Sequence, residues 1–166
     1  MKRGILCMLS ALLLMGLMFR VGNQVEIRGE LLPGVYDPAI VRQSAAAAER
    51  AAEEICRVEE APPFRVLPVL CARYTPVDGD ALSRTMLEAY DGVAALYAVY
   101  AGDERIGTVD DPGLAGTIYD ERMATQAMTG ARPNTPVTLK RVYTTPDFVT
   151  DTMALSRALA AAAFTS

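Results

Sequence analysis

The 166-residue chain contains no histidine and no tryptophan, and only two of its 16 basic residues are lysines, Lys2 and Lys140. Without histidine there is no Ser-His-Asp or Cys-His nucleophile, no imidazole general base and no His-containing zinc site. Three cysteines are one short of a four-cysteine metal site. No glycine-rich loop leads into Lys-Ser or Lys-Thr, so a phosphate-cradling loop is absent as well. The formal net charge is −4 and the arginines are scattered singly, which leaves no basic stripe to follow a phosphate backbone. Nucleic acid is therefore not an expected partner. No cofactor is expected, and no residue is assigned a catalytic, cofactor-binding or metal-ligating role.

What is present begins at the N-terminus. MKRGILCMLSALLLMGLMFR places Lys2 and Arg3 before an uncharged apolar run from Gly4 to Phe19, closed by Arg20. At about 1.5 Å per residue such a run rises roughly 24 Å as a helix, short of the ~30 Å hydrocarbon core unless flanking residues extend it. No small-x-small cleavage site follows it, and Cys7 lies too early for a lipoprotein cysteine. Residues 1–21 therefore read as an uncleaved signal anchor, a transmembrane helix contacting the membrane through residues 4–20. The basic end would face the cytoplasm and the rest would lie outside. The expected location is the cytoplasmic membrane, single-pass. A buried N-terminal helix is the alternative.

Residues 22–36 read as a juxtamembrane linker or an edge strand, and residues 37–166 as one extracytoplasmic α+β domain. Asp37-Pro38 opens a helix to about Arg57, its apolar face carried by Ile40, Val41, Ala48, Ala52 and Ile55. FRVLPVLCARY (64–74) reads as a strand in which Pro68 removes a ladder donor, placing it at an edge or beside a bulge. Asp78-Gly79-Asp80 opens a second helix through about Tyr90. YAVYAGDERIGTV alternates apolar and polar residues about a Gly-Asp-Glu turn, a hairpin of Ala94–Ala101 with Arg105–Val109. Asp111-Pro112 caps a third helix, packed through Leu114, Ile118 and Met123. TPVTLKRVY (135–143) is a strand, and Thr150 or Asp151 starts a last helix with Met153, Leu155, Ala158 and Leu159 inside. The fold class expected is α+β, an N-terminal transmembrane helix followed by a small antiparallel sheet packed against several helices. VEIR at 25–28 and VTLK at 137–140 are similar and precede a Pro-containing link and a helix, a single echo that does not establish a repeat.

Cys56 and Cys71 sit on either side of a helix-to-strand connection, too far apart along the chain path for the ~7 Å that a disulfide tolerates. Carboxylates are the remaining chemical groups. Asp110 and Asp111 read as hairpin exit and helix cap, and Glu59 and Glu60 as solvated loop charge. Asp78 and Asp80 lack the further ligands of a calcium loop. Lys140 has no Ser-x-x-Lys spacing.

The stretch AYDGVAALYAVYAGDERIGTVDDPGLAGTI, with VTLKRVYTTPDFVTDTMALSRALA after it, resembles the N-terminal extracytoplasmic region of Gram-positive, membrane-anchored cell-wall endopeptidases of the lysostaphin type. There a YAVYVDG strand, an xxIGxV strand and an acidic helix start recur in this order, with Ala101 and Gly102 here in place of the usual Val-Asp. The resemblance covers about residues 90–160. The zinc-binding catalytic domain of that family follows this region, and no residue here matches its ligands. What the resemblance implies is a non-catalytic spacer or docking module at the cell envelope, with cell-wall components or an envelope protein as partner. A small glycan-cleaving enzyme using two carboxylates and an assembly subunit of an envelope complex are the alternatives.

Overall fold

The computed structural model describes residues 19–56, 61–129 and 135–163. They divide into two compact units, Met1–Asp91 and Gly92–Ser166. The fold is α+β, and the described residues hold two three-stranded antiparallel sheets and four helices.

In the first unit β1 (Arg20–Ile27) turns through Arg28 and Gly29 into the short β2 (Glu30–Leu31). Both turn residues have positive φ, 50° and 86°, the pattern of a type I′ hairpin turn whose twist suits the flanking strands. Helix α1 (Pro38–Ile55) follows, then β3 (Phe64–Cys71) and α2 (Gly79–Leu87). The sheet order is β2-β1-β3, with Arg20 opposite Cys71 and Ile27 opposite Phe64. Both helix starts are fixed by aspartate. Asp37 Oδ1 accepts the Ala39 N–H at 2.7 Å, and Asp78 Oδ1 accepts the Asp80 N–H at 3.1 Å. Val25, Val41, Ala48, Ala52 and Met86 are fully buried. Ser44, buried on α1, donates from Oγ to the Gly79 carbonyl at 2.8 Å, so small residues at 44, 48 and 52 let α2 approach α1 closely.

In the second unit β4 (Ala94–Ala101) turns through Gly102 and Asp103 into β5 (Glu104–Val109), with a bulge at Val99/Tyr100. Helix α3 (Pro112–Thr129), β6 (Val137–Thr144) and α4 (Thr152–Ala163) complete it, in sheet order β5-β4-β6. Val99, Val109, Ala115, Ile118, Leu155 and Leu159 form one core cluster against which Leu114 packs. Leu114 and Ile118 thus hold the inward positions that the helical spacing predicts. Met153 does not. It is 67% exposed, because Asp151 caps α4 and turns the first helical residue pair outward before Leu155 enters the core.

The sequence placed a membrane anchor at the N-terminus, and this is corrected. Residues 1–18 lie outside the described residues. Arg20 and Val21, assigned above to the end of the anchor, are the first residues of β1, hydrogen-bonded opposite Cys71 and Leu70. Among the described residues no helix is long and apolar enough to cross a membrane. The transmembrane element and the single-pass location accordingly do not stand. Segment 22–36, read as a linker or edge strand, forms the central strand β1, its hairpin and the return through Tyr36.

Candidate functional site

Most carboxylates that the sequence left for chemistry are tied to the backbone. Asp37 and Asp78 cap helices as described. Asp110 Oδ1 accepts the Asp111 N–H at 2.8 Å, and Asp111 Oδ1 accepts the Gly113 N–H at 2.8 Å. Asp151 Oδ1 takes two donors, Met153 N–H at 2.9 Å and Ala154 N–H at 3.1 Å. Asp91 is held by Arg28, whose guanidinium also donates to the Ala89 carbonyl at 2.9 and 3.2 Å. That residue reaches from the hairpin turn to the end of α2 and satisfies a terminal carbonyl. Glu59 and Glu60 lie outside the described residues. Lys140 lies on β6 with its ammonium 4.8 Å from the Tyr100 ring centroid. Among the described residues no group of three or more Cys, Asp or Glu is close enough to hold a metal ion. Cys56 and Cys71 are free thiols.

A polar groove of ≈ 410 Å³ runs between α1 and α2 in the first unit, lined by Ile40, Gln43, Ser44, Arg50, Asp80 and Ser83 among others. Arg50 is oriented along α1 by its Nε bond to the Ala46 carbonyl at 3.0 Å. One guanidinium, one carboxylate, an amide and two hydroxyls can hydrogen-bond a small polar molecule. The groove brings in a single carboxylate, as does the neighbouring one beside β2, where Glu30 is the acid. The paired acids of a glycosidase are therefore not assembled in either groove.

Both units carry a contact that no sequence pattern announces. In the first, the Thr75 N–H donates to the Val35 carbonyl at 2.7 Å and Thr75 Oγ1 accepts the Val35 N–H at 3.1 Å. Gly34 has φ +126°, and a Cβ there would lie 2.7 Å from Thr75 Oγ1. In the second, the Thr150 N–H donates to the Thr108 carbonyl at 2.7 Å and Thr150 Oγ1 accepts the Thr108 N–H at 2.9 Å. A Cβ on Gly107 would lie 2.8 Å from Leu155 Cδ1 and 3.2 Å from Thr150 Oγ1. Each threonine clasps the strand's exit to the segment before the last helix, and each glycine leaves the room.

The outer strands are guarded. Asn23 exchanges both backbone bonds with Tyr36, at 2.9 and 2.7 Å. Its pair with Pro68 on the other side is therefore non-hydrogen-bonded, and Pro68 turns its donor-less nitrogen to the free edge. On β6 the corresponding stretch is charged, Lys140-Arg141. Exposed apolar side chains lie on β1 and β3, at Val21, Val66, Leu67 and Leu70, and before and at the start of α4, where Phe148, Val149 and Met153 are 60, 44 and 67% accessible.

No family model, curated protein or solved structure matches this chain.

Proposed function

We propose that the chain is a non-catalytic docking module, a body that binds or positions a partner rather than transforming one. The observation that carries this reading is the extent of the family resemblance. Residues 90–160 run from the start of the second unit into α4, so the stretch that carries the resemblance takes in most of one folding unit. The implied partner is a cell-wall polymer. In support, the aspartates at both unit frames are engaged as caps and clamps, roles that build a rigid body.

The test is co-sedimentation of the purified chain with isolated Gram-positive walls, with soluble muropeptides assayed in the supernatant. Saturable retention without muropeptide release is the expected result. Failure to sediment at any wall concentration would remove the polymer as partner, and release of muropeptides would remove the non-catalytic assignment.

A second reading, an assembly subunit, is favoured by the exposed trio Phe148, Val149 and Met153. It predicts concentration-dependent association in solution, abolished when the three are changed to serine.

A further inference from the structure

We infer that the chain is a tandem duplication of one ββαβα module whose two copies share a buried frame and differ in their outer faces. The inference goes beyond the docking reading and does not rest on it.

The two units share order and register. Every residue of β4 and of the hairpin turn lies 74 positions after its counterpart in β1, and the same offset relates Pro38–Ile55 to Pro112–Thr129. From the third strand onward the offset is 73, relating Phe64–Cys71 to Val137–Thr144 and Asp78 to Asp151. A connection one residue shorter before β6 accounts for the change. Under these offsets the pairing is the same between the first and third strands and beside the hairpin turn, while past the bulge it differs by one residue, Asn23 facing Tyr36 and Tyr97 facing Val109. Arg20 opposite Cys71 becomes Ala94 opposite Thr144, Ile27 opposite Phe64 becomes Ala101 opposite Val137, and Glu26 opposite Leu31 becomes Tyr100 opposite Arg105.

Unrelated proteins can converge on a strand order, but the details here are finer than topology. Asp-Pro starts the long helix in both, and both aspartates cap the second residue onward. The threonine clasp recurs with both of its hydrogen bonds and its facing glycine, although Gly34 and Val35 stand 73 positions before Gly107 and Thr108 and Thr75 stands 75 before Thr150, so the contact is kept across small differences in loop length. Ala-Leu-Ser-Arg occurs at 81–84 and 154–157, in phase, with Leu82 and Leu155 both buried. Further along the core, Val25 and Val99, Val41 and Ala115, Ser44 and Ile118, and Met86 and Leu159 are equivalent and all buried.

Outward positions have diverged. Arg42 and Arg50 of α1 correspond to Gly116 and Ala124 of α3, and Leu67-Pro68 of β3 to Lys140-Arg141 of β6.

The test is strand exchange in the full chain. Replacing residues 64–71 by the sequence of 137–144 keeps every side chain on its face, whereas inserting the sequence of 138–145 turns every side chain over. The expected result is a native-like circular dichroism spectrum and cooperative unfolding for the in-phase exchange alone. Equal loss of structure in both chimeras would overturn the duplication. As a second readout, Leu82→Ala and Leu155→Ala should each accelerate amide exchange in their own unit by at least tenfold at matched positions. An effect of one substitution without a matched effect of the other would also overturn it. An in-phase chimera that folds while the parent chain fails to bind walls would sink the docking reading and leave the duplication standing.

Discussion

The threonine clasp makes a prediction that separates a hydrogen bond from the packing around it. Thr150→Val keeps the shape of the side chain and removes the oxygen that accepts the Thr108 N–H at 2.9 Å. Thr108 is only 3% exposed, so the orphaned donor has no water to turn to. Leaving a buried donor unsatisfied costs about 1–3 kcal/mol. The companion Thr150→Ser keeps the oxygen and loses one methyl, worth about 0.8 kcal/mol or less for a side chain that is only half-buried. The backbone bond from the Thr150 N–H to the Thr108 carbonyl at 2.7 Å is untouched in both variants.

The assay is thermal unfolding followed by far-ultraviolet circular dichroism, with amide exchange at Thr108 as the local readout. The valine variant should lower stability by about 1–3 kcal/mol, a midpoint loss of roughly 4–8 °C per kcal/mol for a unit of this size. The serine variant should lie closer to the parent. If valine is as well tolerated as serine, or if Thr108 exchange does not quicken, the clasp is incidental to the fold.

Two further outcomes follow from single groups. Tyr90 is 6% exposed and its hydroxyl has no hydrogen-bond partner among the described residues, while burial, then the charges of Glu49, Glu53 and Cys56, push its pKa up. A raised folded pKa means that stability is intact below the ordinary tyrosine value of about 10 and is lost as pH climbs through the folded value. Tyr90→Phe should flatten that alkaline loss and cost nothing at neutral pH; a clear destabilisation at pH 7 would show that the hydroxyl is satisfied after all. Pro68→Val restores an outward N–H on the free edge of β3, beside exposed Val66 and Leu70, and should produce concentration-dependent association by light scattering, with a monodisperse variant refuting the guard.

Local chemistry was legible in the sequence wherever one residue type does one job at short range. Asp37-Pro38 and Asp111-Pro112 marked helix starts because cap and first-turn preferences act within a few residues. Pro68 narrowed its strand to an edge or a bulge because a missing donor is tolerated at those places, and the strand is an edge strand. The hairpin from Ala94 was legible from its alternation and its Gly102 turn. The apolar run before Arg20 is written in the same local code, and length and flanking charge alone made it a membrane anchor. Position β1 depended on Val21 and Val25 finding Leu70 and Val66 more than forty residues later, which no local pattern states.

The duplication was hidden for a related reason. VEIR and VTLK look alike, yet 25–28 ends β1 and opens its turn while 137–140 begins β6, so the visible echo is out of phase with the true offsets of 74 and 73. What the copies share is the role at a position rather than the residue. Ser44 and Ile118 are both buried, one donating to a carbonyl and the other filling the core cluster. Thr75 stands three residues before its capping aspartate and Thr150 one, so the same pair of hydrogen bonds is made from different sequence spacings. A close backbone clasp selects glycine and threonine by geometry, and only the three-dimensional partner shows which glycine and which threonine are meant. Outward-facing residues are under no such constraint, which is why Gly116 and Ala124 stand on α3 where α1 carries Arg42 and Arg50.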